Sequence, residues 1–250
     1  MRKHTFVILA FNESDDLEEC IKSVLKQSIK SNVLIATSTP NDYIIDLASQ
    51  YSLGVMVNNE KSNKGSDYNF ALHTMNSDLI TIAHQDDIYN RNYTKEILKI
   101  YEKNKDATII FTDNYEINDT RKILKSKRLR RKKYYLLPLK YRICQNKVYF
   151  KMRSLRKEKF ICTSSITFVK KNIPENPFPT NLCYNNDWKA LIDMAREKTR
   201  FVFLDKQLVG YRINKDKFDI EKFQEDEDIL KEIYPKWYFE KIVQKKMHKM

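Results

Sequence analysis

Glycine is nearly missing from this sequence of 250 residues: it occurs three times, as Gly54, Gly65 and Gly210. A P-loop or a Gly-x-Gly-x-x-Gly dinucleotide turn clusters its glycines so that backbone approaches phosphate with no Cβ in the way. No two of these glycines lie within ten residues of each other, so both motifs are excluded. A nucleotide bound here is met by side chains or through a metal. Cysteine is sparse as well. Cys20, Cys144, Cys162 and Cys183 form no Cys-x-x-Cys pair, and with four scattered histidines they make no zinc pattern. Reduced thiols and a cytosolic setting are the expectation. No apolar run approaches the ~20 residues of a membrane-spanning helix. The opening apolar run, residues 5–11, is too short for a signal peptide and lacks a small-residue cleavage site. The expectation is a protein that stays inside the cell.

What is present is a globular composition with a lopsided charge. Apolar residues make up 42% and aromatics 12%, enough to bury a core in one large domain. The net charge of +13 is concentrated: residues 121–159 hold 17 Lys and Arg against one acid, Glu158, and the rest of the chain is at −3. A mildly acidic body with one intensely basic segment points to a local basic face rather than general coating of nucleic acid. A plain solubilising run fits poorly, because tyrosines and leucines are woven through it.

Apolar runs predict strands at residues 6–11, 32–37, 55–58, 79–83 and 108–112. Helical periodicity between them predicts helices at about 14–26 (capped by Asn12 or Ser14), 42–51, 66–75 and 92–103. That alternation implies βαβ units and a mainly parallel sheet. Beyond the basic segment, 160–169 reads as a strand region and 186–198 as an amphipathic helix. Residues 201–204 and 208–213 read as two short strands, and the tail from about 218 as helical. With no repeat and no Gly/Ser linker, the division is a single domain at 1–217 and a tail at 218–250. Within that domain lie a first half at 1–120, a basic insertion at 121–159 and a second half at 160–217.

Three places offer chemistry. Asp86-Asp87 follows a predicted parallel strand, at the sheet edge where open α/β folds bind ligands. Adjacent carboxylates repel unless a cation or hydrogen bonds compensate, and hard divalent cations take carboxylates of this kind. The bland reading has Asp87 capping a helix that starts near residue 89. Asp187 stands in the first turn of a helix, as a dipole-matching residue or as a general base. Tyr211-Arg212-Ile213-Asn214 is either an edge strand with a solvated arginine or a polar strand end at a site.

The order and spacing of these pieces resemble the family 2 glycosyltransferases, with the nucleotide-sugar-binding GT-A fold. Residues 6–13, Phe6-Val7-Ile8-Leu9-Ala10-Phe11-Asn12-Glu13, are similar to the family's opening strand with its Tyr/Phe-Asn turn. Residues 17–28 are similar to its first helix, including the Ser-Val-Leu-x-Gln ending. Asn63-Lys64-Gly65 with Asn69 and Ala71 resembles the region before the metal motif, and His84-Gln85-Asp86-Asp87 occupies the Asp-x-Asp position. Asn186-Asp187-Trp188 and residues 208–214 resemble the Glu-Asp-Trp and Leu-Val-x-Tyr-Arg-x-His signatures. The match covers about 5–112 and 160–214. There are departures. The usual Asp-Asp-Gly-Ser turn reads Thr37-Ser38-Thr39-Pro40-Asn41-Asp42, Gln85 stands for the first Asp of the metal motif, Asn186 for Glu, and Asn214 for His.

The resemblance implies an α/β GT-A fold with a mainly parallel central sheet flanked by helices, and inverting transfer from a nucleoside-diphosphate sugar of UDP or dTDP type. It implies a divalent cation, Mg²⁺ or Mn²⁺, with Asp87 and Asn214 as metal ligands, and Asp187 as catalytic base. Donor-side residues are Ala10, Asn12, Glu13, Thr37, Ser38, Thr39, Asn63, Gly65, Asn69, Gln85 and Asp86. Trp188 and Arg212 fall on the acceptor side. The acceptor is a glycan or a polyprenyl-diphosphate-linked glycan of surface polysaccharide synthesis. The basic segment 121–159, with aromatic and aliphatic residues beside its cations, reads as a patch for an anionic membrane surface on the cytoplasmic face. No specific nucleic acid is expected. A basic nucleic-acid-binding module and a catalytically degenerate sugar-nucleotide binder stand as alternatives at this point.

Overall fold

The computed structural model describes residues 3–60, 63–118, 121–155, 160–213 and 226. The first half alternates as its pattern predicts: β1 (His4–Ala10), α1 (Leu17–Leu25), β2 (Asn32–Thr37), α2 (Asp42–Gln50), β3 (Gly54–Val57), α3 (Lys64–His73), β4 (Leu79–His84), a two-residue β5 (Ile88–Tyr89), α4 (Tyr93–Glu102) and β6 (Ile109–Asn118). Then come β7 (Arg121–Ile123), α5 (Lys127–Leu136), α6 (Arg142–Gln145), α7 (Val148–Leu155), β8 (Ile166–Val169), α8 (Asn186–Arg196) and β9 (Phe201–Arg212). The sheet order is β3-β2-β1-β4-β8-β6-β9-β5, with β7 on the side of β6.

Strands β1, β2, β3, β4, β6 and β9 run in one direction; β8, inserted antiparallel between β4 and β6, reverses it locally. Their C-terminal ends therefore share one edge, and the polar turns after β1, β2 and β4 meet there. The β1 run has no polar alternation because both faces are covered. Val7 packs with Leu34, Ile80, Ile82 and Trp188 on the side of α3 and α8. Phe6 and Ile8 pack with Leu17, Ile21, Val24, Ile44, Ile97 and Tyr101 on the side of α1, α2 and α4.

Several boundaries differ from the sequence expectation. Helix α1 starts at Leu17, with Asp16 in the cap position and no side-chain cap, so neither Asn12, which is in the left-handed region (φ 53°) in the turn after β1, nor Ser14 caps it. The helix expected at 92–103 is found at Tyr93–Glu102, with Asn92 at its cap position, so the reading of Asp87 as the cap of a helix starting near residue 89 does not hold. The strand expected to stop at 112 continues to Asn118. Of 160–169, only Ile166–Val169 is strand, preceded by a 3₁₀ turn at Thr163–Ser165. The two expected strands at 201–213 are one, Phe201–Arg212: its register against β6 shifts around Asp113, and the bulge absorbs the polar Asp205-Lys206-Gln207. Asn214 and the expected helical tail, Asp226 excepted, lie outside the described residues.

The basic insertion is built into the body. Leu136, Leu139, Met152 and Leu155 join the core on the α8 side. Lys132 is buried against Asp113 (2.9 Å) and Asn114, and Arg128 pairs with Glu116 at 2.5 Å. Lys133 and Lys140 reach Asp205 at 3.1 and 3.5 Å. Lys151, fully buried, donates to the carbonyls of Glu197 and Thr199 and to the Thr199 hydroxyl, at 2.8–2.9 Å. These partners compensate the desolvation that would otherwise keep such cations at the surface.

Candidate active site

The turn after β4 carries the densest chemistry. His84, Asp86 and Asp87 offer ligand atoms that all lie within 4.8 Å of one another. Asp87 is fully buried. One of its oxygens, Oδ1, accepts the backbone N–H of Arg212 (3.1 Å), while Oδ2 has no hydrogen-bond partner among the described residues. Burial, with the neighbouring charge of Asp86 added, pushes the Asp87 carboxyl up to about 8. An orphaned buried carboxylate oxygen beside a second carboxylate and an imidazole is the donor set a divalent cation satisfies. His84 Nδ1 stands 3.9 Å from that oxygen, and its Nε2 meets the Tyr68 hydroxyl at 2.8 Å, which fixes the ring. An imidazole held this way from its far nitrogen is pre-oriented as a ligand.

Arg212 locks the turn from outside. Its guanidinium reaches the Asp86 carbonyl (3.1 Å), Asp16 (3.1 Å) and Glu19 (2.8 Å). It thus ties the end of β9 to α1 and to the carboxylate turn. Gln85, which stands where an Asp was expected, exchanges two hydrogen bonds with the Phe11 backbone at 2.8 and 3.0 Å. Its amide joins the turns after β1 and β4. Asn12 donates its N–H to Thr39 Oγ1 (2.7 Å), and Thr39 donates its own N–H to Thr37 Oγ1 (3.0 Å), which brings in the turn after β2. Ser38 donates to Asp67 (3.1 Å) on α3. Asp67 therefore supplies a carboxylate next to a turn that has none at the position the resemblance points to; Asp67 carried no sequence signal. Ala10 ends β1, buried, and Glu13 is exposed just beyond it.

The expected donor residues on α3 serve its docking. Asn63 caps the helix by accepting the Ser66 N–H at 2.9 Å. Gly65 presses on the chain at Pro179, where a Cβ would lie 2.1 Å from the carbonyl oxygen. Asn69 spends its whole amide on the Phe178 backbone, at 2.8 and 3.0 Å.

A cavity of about 220 Å³ opens onto the turn, and both halves of the chain line it: Lys64, His84 and Asp86 on one side, Arg128, Lys132, Thr163, Asp187, Tyr211 and Arg212 on the other. Asp187, in the first turn of α8, is nearly buried. Its Oδ2 accepts the Thr163 hydroxyl (2.6 Å) and its Oδ1 the Trp188 N–H (2.8 Å). Asp86, Asp187 and Arg212, far apart in sequence, thus line one cavity. Trp188 lies in the core with its indole N–H on the Leu155 carbonyl (3.0 Å). Lys64, His84, Thr163 and Tyr211 were missed as lining residues. Lys64, His84 and Tyr211 lie inside quoted motifs, so adjacency was the available signal. Burial lifts the Tyr211 phenol above its usual range, and desolvation pushes the half-buried Cys162 thiol up to about 12.

Comparison with known proteins agrees with this fold. The sequence profile described as Glycosyl transferase family 2 matches residues 5–171. No curated protein matches the chain. Among solved structures, TarS of S. aureus (residues 1–349) in complex with UDP-GlcNAc superposes with a TM-score of 0.61 at 14% identity, over 86% of this chain and 60% of that one. The same protein in complex with UDP gives 0.63 at 15%, over 89% and 62%. Glucosyl-3-phosphoglycerate synthase from Mycobacterium tuberculosis, in complex with Mn²⁺, UDP-glucose and phosphoglyceric acid, gives 0.57 at 11%, over 89% and 74%. The chain spans about 60% of the length of the first of these. At such identities the likeness is one of fold. Among the described residues no helix is long and apolar enough to cross a membrane.

Proposed function

Because this chain belongs to glycosyl transferase family 2, we propose that it transfers a sugar, with inversion, from a nucleoside-diphosphate donor of UDP or dTDP type to a glycan or polyprenyl-diphosphate-linked acceptor. The observation that carries this reading is one cavity lined both by His84 and Asp86 of the carboxylate turn and by Asp187. A single displacement needs a base on one face of the sugar and charge stabilisation of the leaving group on the other. Asp187 takes the acceptor hydroxyl's proton as that oxygen bonds to the anomeric carbon and the bond to the diphosphate breaks. Thr163 and the Trp188 amide orient the carboxylate for this. Asp87, with Asp86 and His84, would hold Mg²⁺ or Mn²⁺, and such an ion, when bound, neutralises charge on the departing diphosphate. Asn214 remains an expected ligand outside the described residues. Lys64 and Arg212 add positive charge to the cavity lining, where a diphosphate favours it. Asp187→Asn is expected to lower turnover by roughly 10²–10⁴-fold with donor affinity kept; unchanged turnover would remove the base assignment.

We further assign the insertion to an anionic membrane surface at the cytoplasmic face, where a lipid-linked acceptor of polysaccharide synthesis is presented. Tyr134, Tyr141, Ile143 and Tyr149 are exposed along it, beside exposed Lys125, Lys127, Arg130 and Lys147. Apolar side chains among cations suit a headgroup boundary. A nucleic-acid reading has less support, because Arg128, Lys132, Lys133, Lys140 and Arg142 are engaged with acids of the chain itself.

A further inference from the structure

Helix α8, which carries Asp187, begins with Asn185 at the cap position, whose side chain makes no capping hydrogen bond; the first helical N–H groups are met by the side chains that follow, Asp187 N–H by Asn186 Oδ1 (2.9 Å) and Trp188 N–H by Asp187 Oδ1 (2.8 Å). The N–H groups of the chain just before a helix need acceptors too, and a negative charge there is favoured by the helix dipole. The segment leading into α8 finds its acceptor in the tail. Asp226, 2% exposed, accepts the Cys183 N–H on Oδ1 (2.7 Å). On Oδ2 it accepts the Tyr184 N–H (2.7 Å), the Asn185 N–H (3.0 Å) and the Asn185 side-chain amide (3.2 Å). Three successive backbone donors and one side-chain donor thus converge on one carboxylate. The helix starts at the next residue, and Asp187 is the second residue of that helix.

We propose that Asp226 is a positioning residue for Asp187: it fixes where α8 starts and so where the Asp187 carboxylate stands in the cavity. The inference rests on Asp187 being the base. It also moves a boundary, because the catalytic unit then reaches into the tail, 39 positions beyond the residue it holds. Asp226 touches neither the Asp86-Asp87 turn nor the turns after β1 and β2, as far as the described contacts go. Losing it should therefore weaken turnover without weakening donor binding. A displacement of about 1 Å at a reacting group is enough for a roughly 10²-fold loss.

The test uses Asp226→Asn and Asp226→Ala in the full chain, beside Asp187→Asn. Asn keeps the size of the side chain but brings an NH₂ group against donors. UDP release from UDP-GlcNAc and UDP-glucose with Mn²⁺ gives kcat and KM, and amide hydrogen exchange is followed over residues 183–188. The expected result is a kcat about 10–100-fold lower at unchanged donor KM, with faster exchange confined to 183–188. Asp226 variants with wild-type kcat, while Asp187→Asn is inactive, would overturn the positioning role and leave the base assignment standing. An Asp187→Asn variant as active as wild type would remove the base assignment and this role with it. If neither donor is turned over, wild-type exchange protection at 183–188 in Asp226→Asn overturns the proposal by itself. A loss split equally between kcat and KM would mark a general structural defect and would also count against it.

Discussion

The polar network under β1 makes a pH-dependent stability that can be worked out in advance. His4 is about 1% exposed, and its two ring nitrogens meet Ser31 Oγ at 2.7 Å and Thr81 Oγ1 at 2.9 Å. Those hydroxyls continue to Thr94 (3.0 Å) and, through Thr167, to the Tyr93 hydroxyl (2.7 and 3.1 Å). No carboxylate is among these contacts, so an imidazolium here would be a buried charge with no counterion. Burial accordingly lowers the His4 ring from 6.5 to about 3. A folded-state value below the unfolded one means that the unfolded chain binds the extra proton. The stability is fully present above pH 6.5 and is lost progressively as pH falls toward 3. One unit corresponds to about 1.4 kcal/mol, and integration from pH 7 to pH 5 gives a loss of about 2 kcal/mol from this residue alone. Urea unfolding of wild type and His4→Gln at the two pH values isolates the term, because the variant has no group that titrates there. Wild type is expected to lose about 2 kcal/mol more than the variant over this interval. Equal losses in the two proteins would refute the reasoning.

Other expectations come from packing and charge. Gly65→Ala gains helix propensity of up to about 1 kcal/mol, yet its Cβ would lie 2.1 Å from the Pro179 oxygen and 2.9 Å from its carbon, both backbone atoms. The net effect should be destabilising by roughly 1–3 kcal/mol, and an unchanged denaturation midpoint would show that the α3 contact yields freely. For the insertion, sedimentation with vesicles containing phosphatidylglycerol should exceed sedimentation with neutral vesicles and fall with salt. Replacing Lys125, Lys127, Arg130 and Lys147 together by Glu should abolish the preference, and equal binding to both vesicle types would speak against a membrane face.

The strands were legible where burial leaves nothing but apolar residues, as at 6–9 and 79–83. The ends of elements were not. Asp205-Lys206-Gln207 interrupts an apolar pattern and reads as a loop, but the bulge in β9 absorbs it, and Lys133 and Lys140 compensate Asp205 from a distant helix. Lys132 and Lys151 read as surface charge, since nothing local announces Asp113 or the carbonyls of Glu197 and Thr199. Asp86, Asp187 and Arg212 were legible as a set because their spacing resembles a family pattern. That Asp87 holds an unpartnered oxygen was not, since it depends on the Arg212 backbone reaching the other oxygen across 125 residues. Nor was Asp226, an ordinary acid in a charged tail whose role is defined only by the amides it meets.

The central claim is that the carboxylate turn after β4 holds a nucleotide sugar through a divalent cation while Asp187 stands apart as the base. Thermal unfolding of the full chain with UDP- and dTDP-sugars, with Mn²⁺ or with EDTA, tests it most directly. At a hundredfold excess over Kd a ligand adds about 2.7 kcal/mol, which is a rise of several degrees for a chain of this size, roughly 5–10 °C. The expected result is a rise that requires Mn²⁺, is kept in Asp187→Asn and is lost in Asp87→Asn. A rise that survives both EDTA and Asp87→Asn undiminished would contradict the claim.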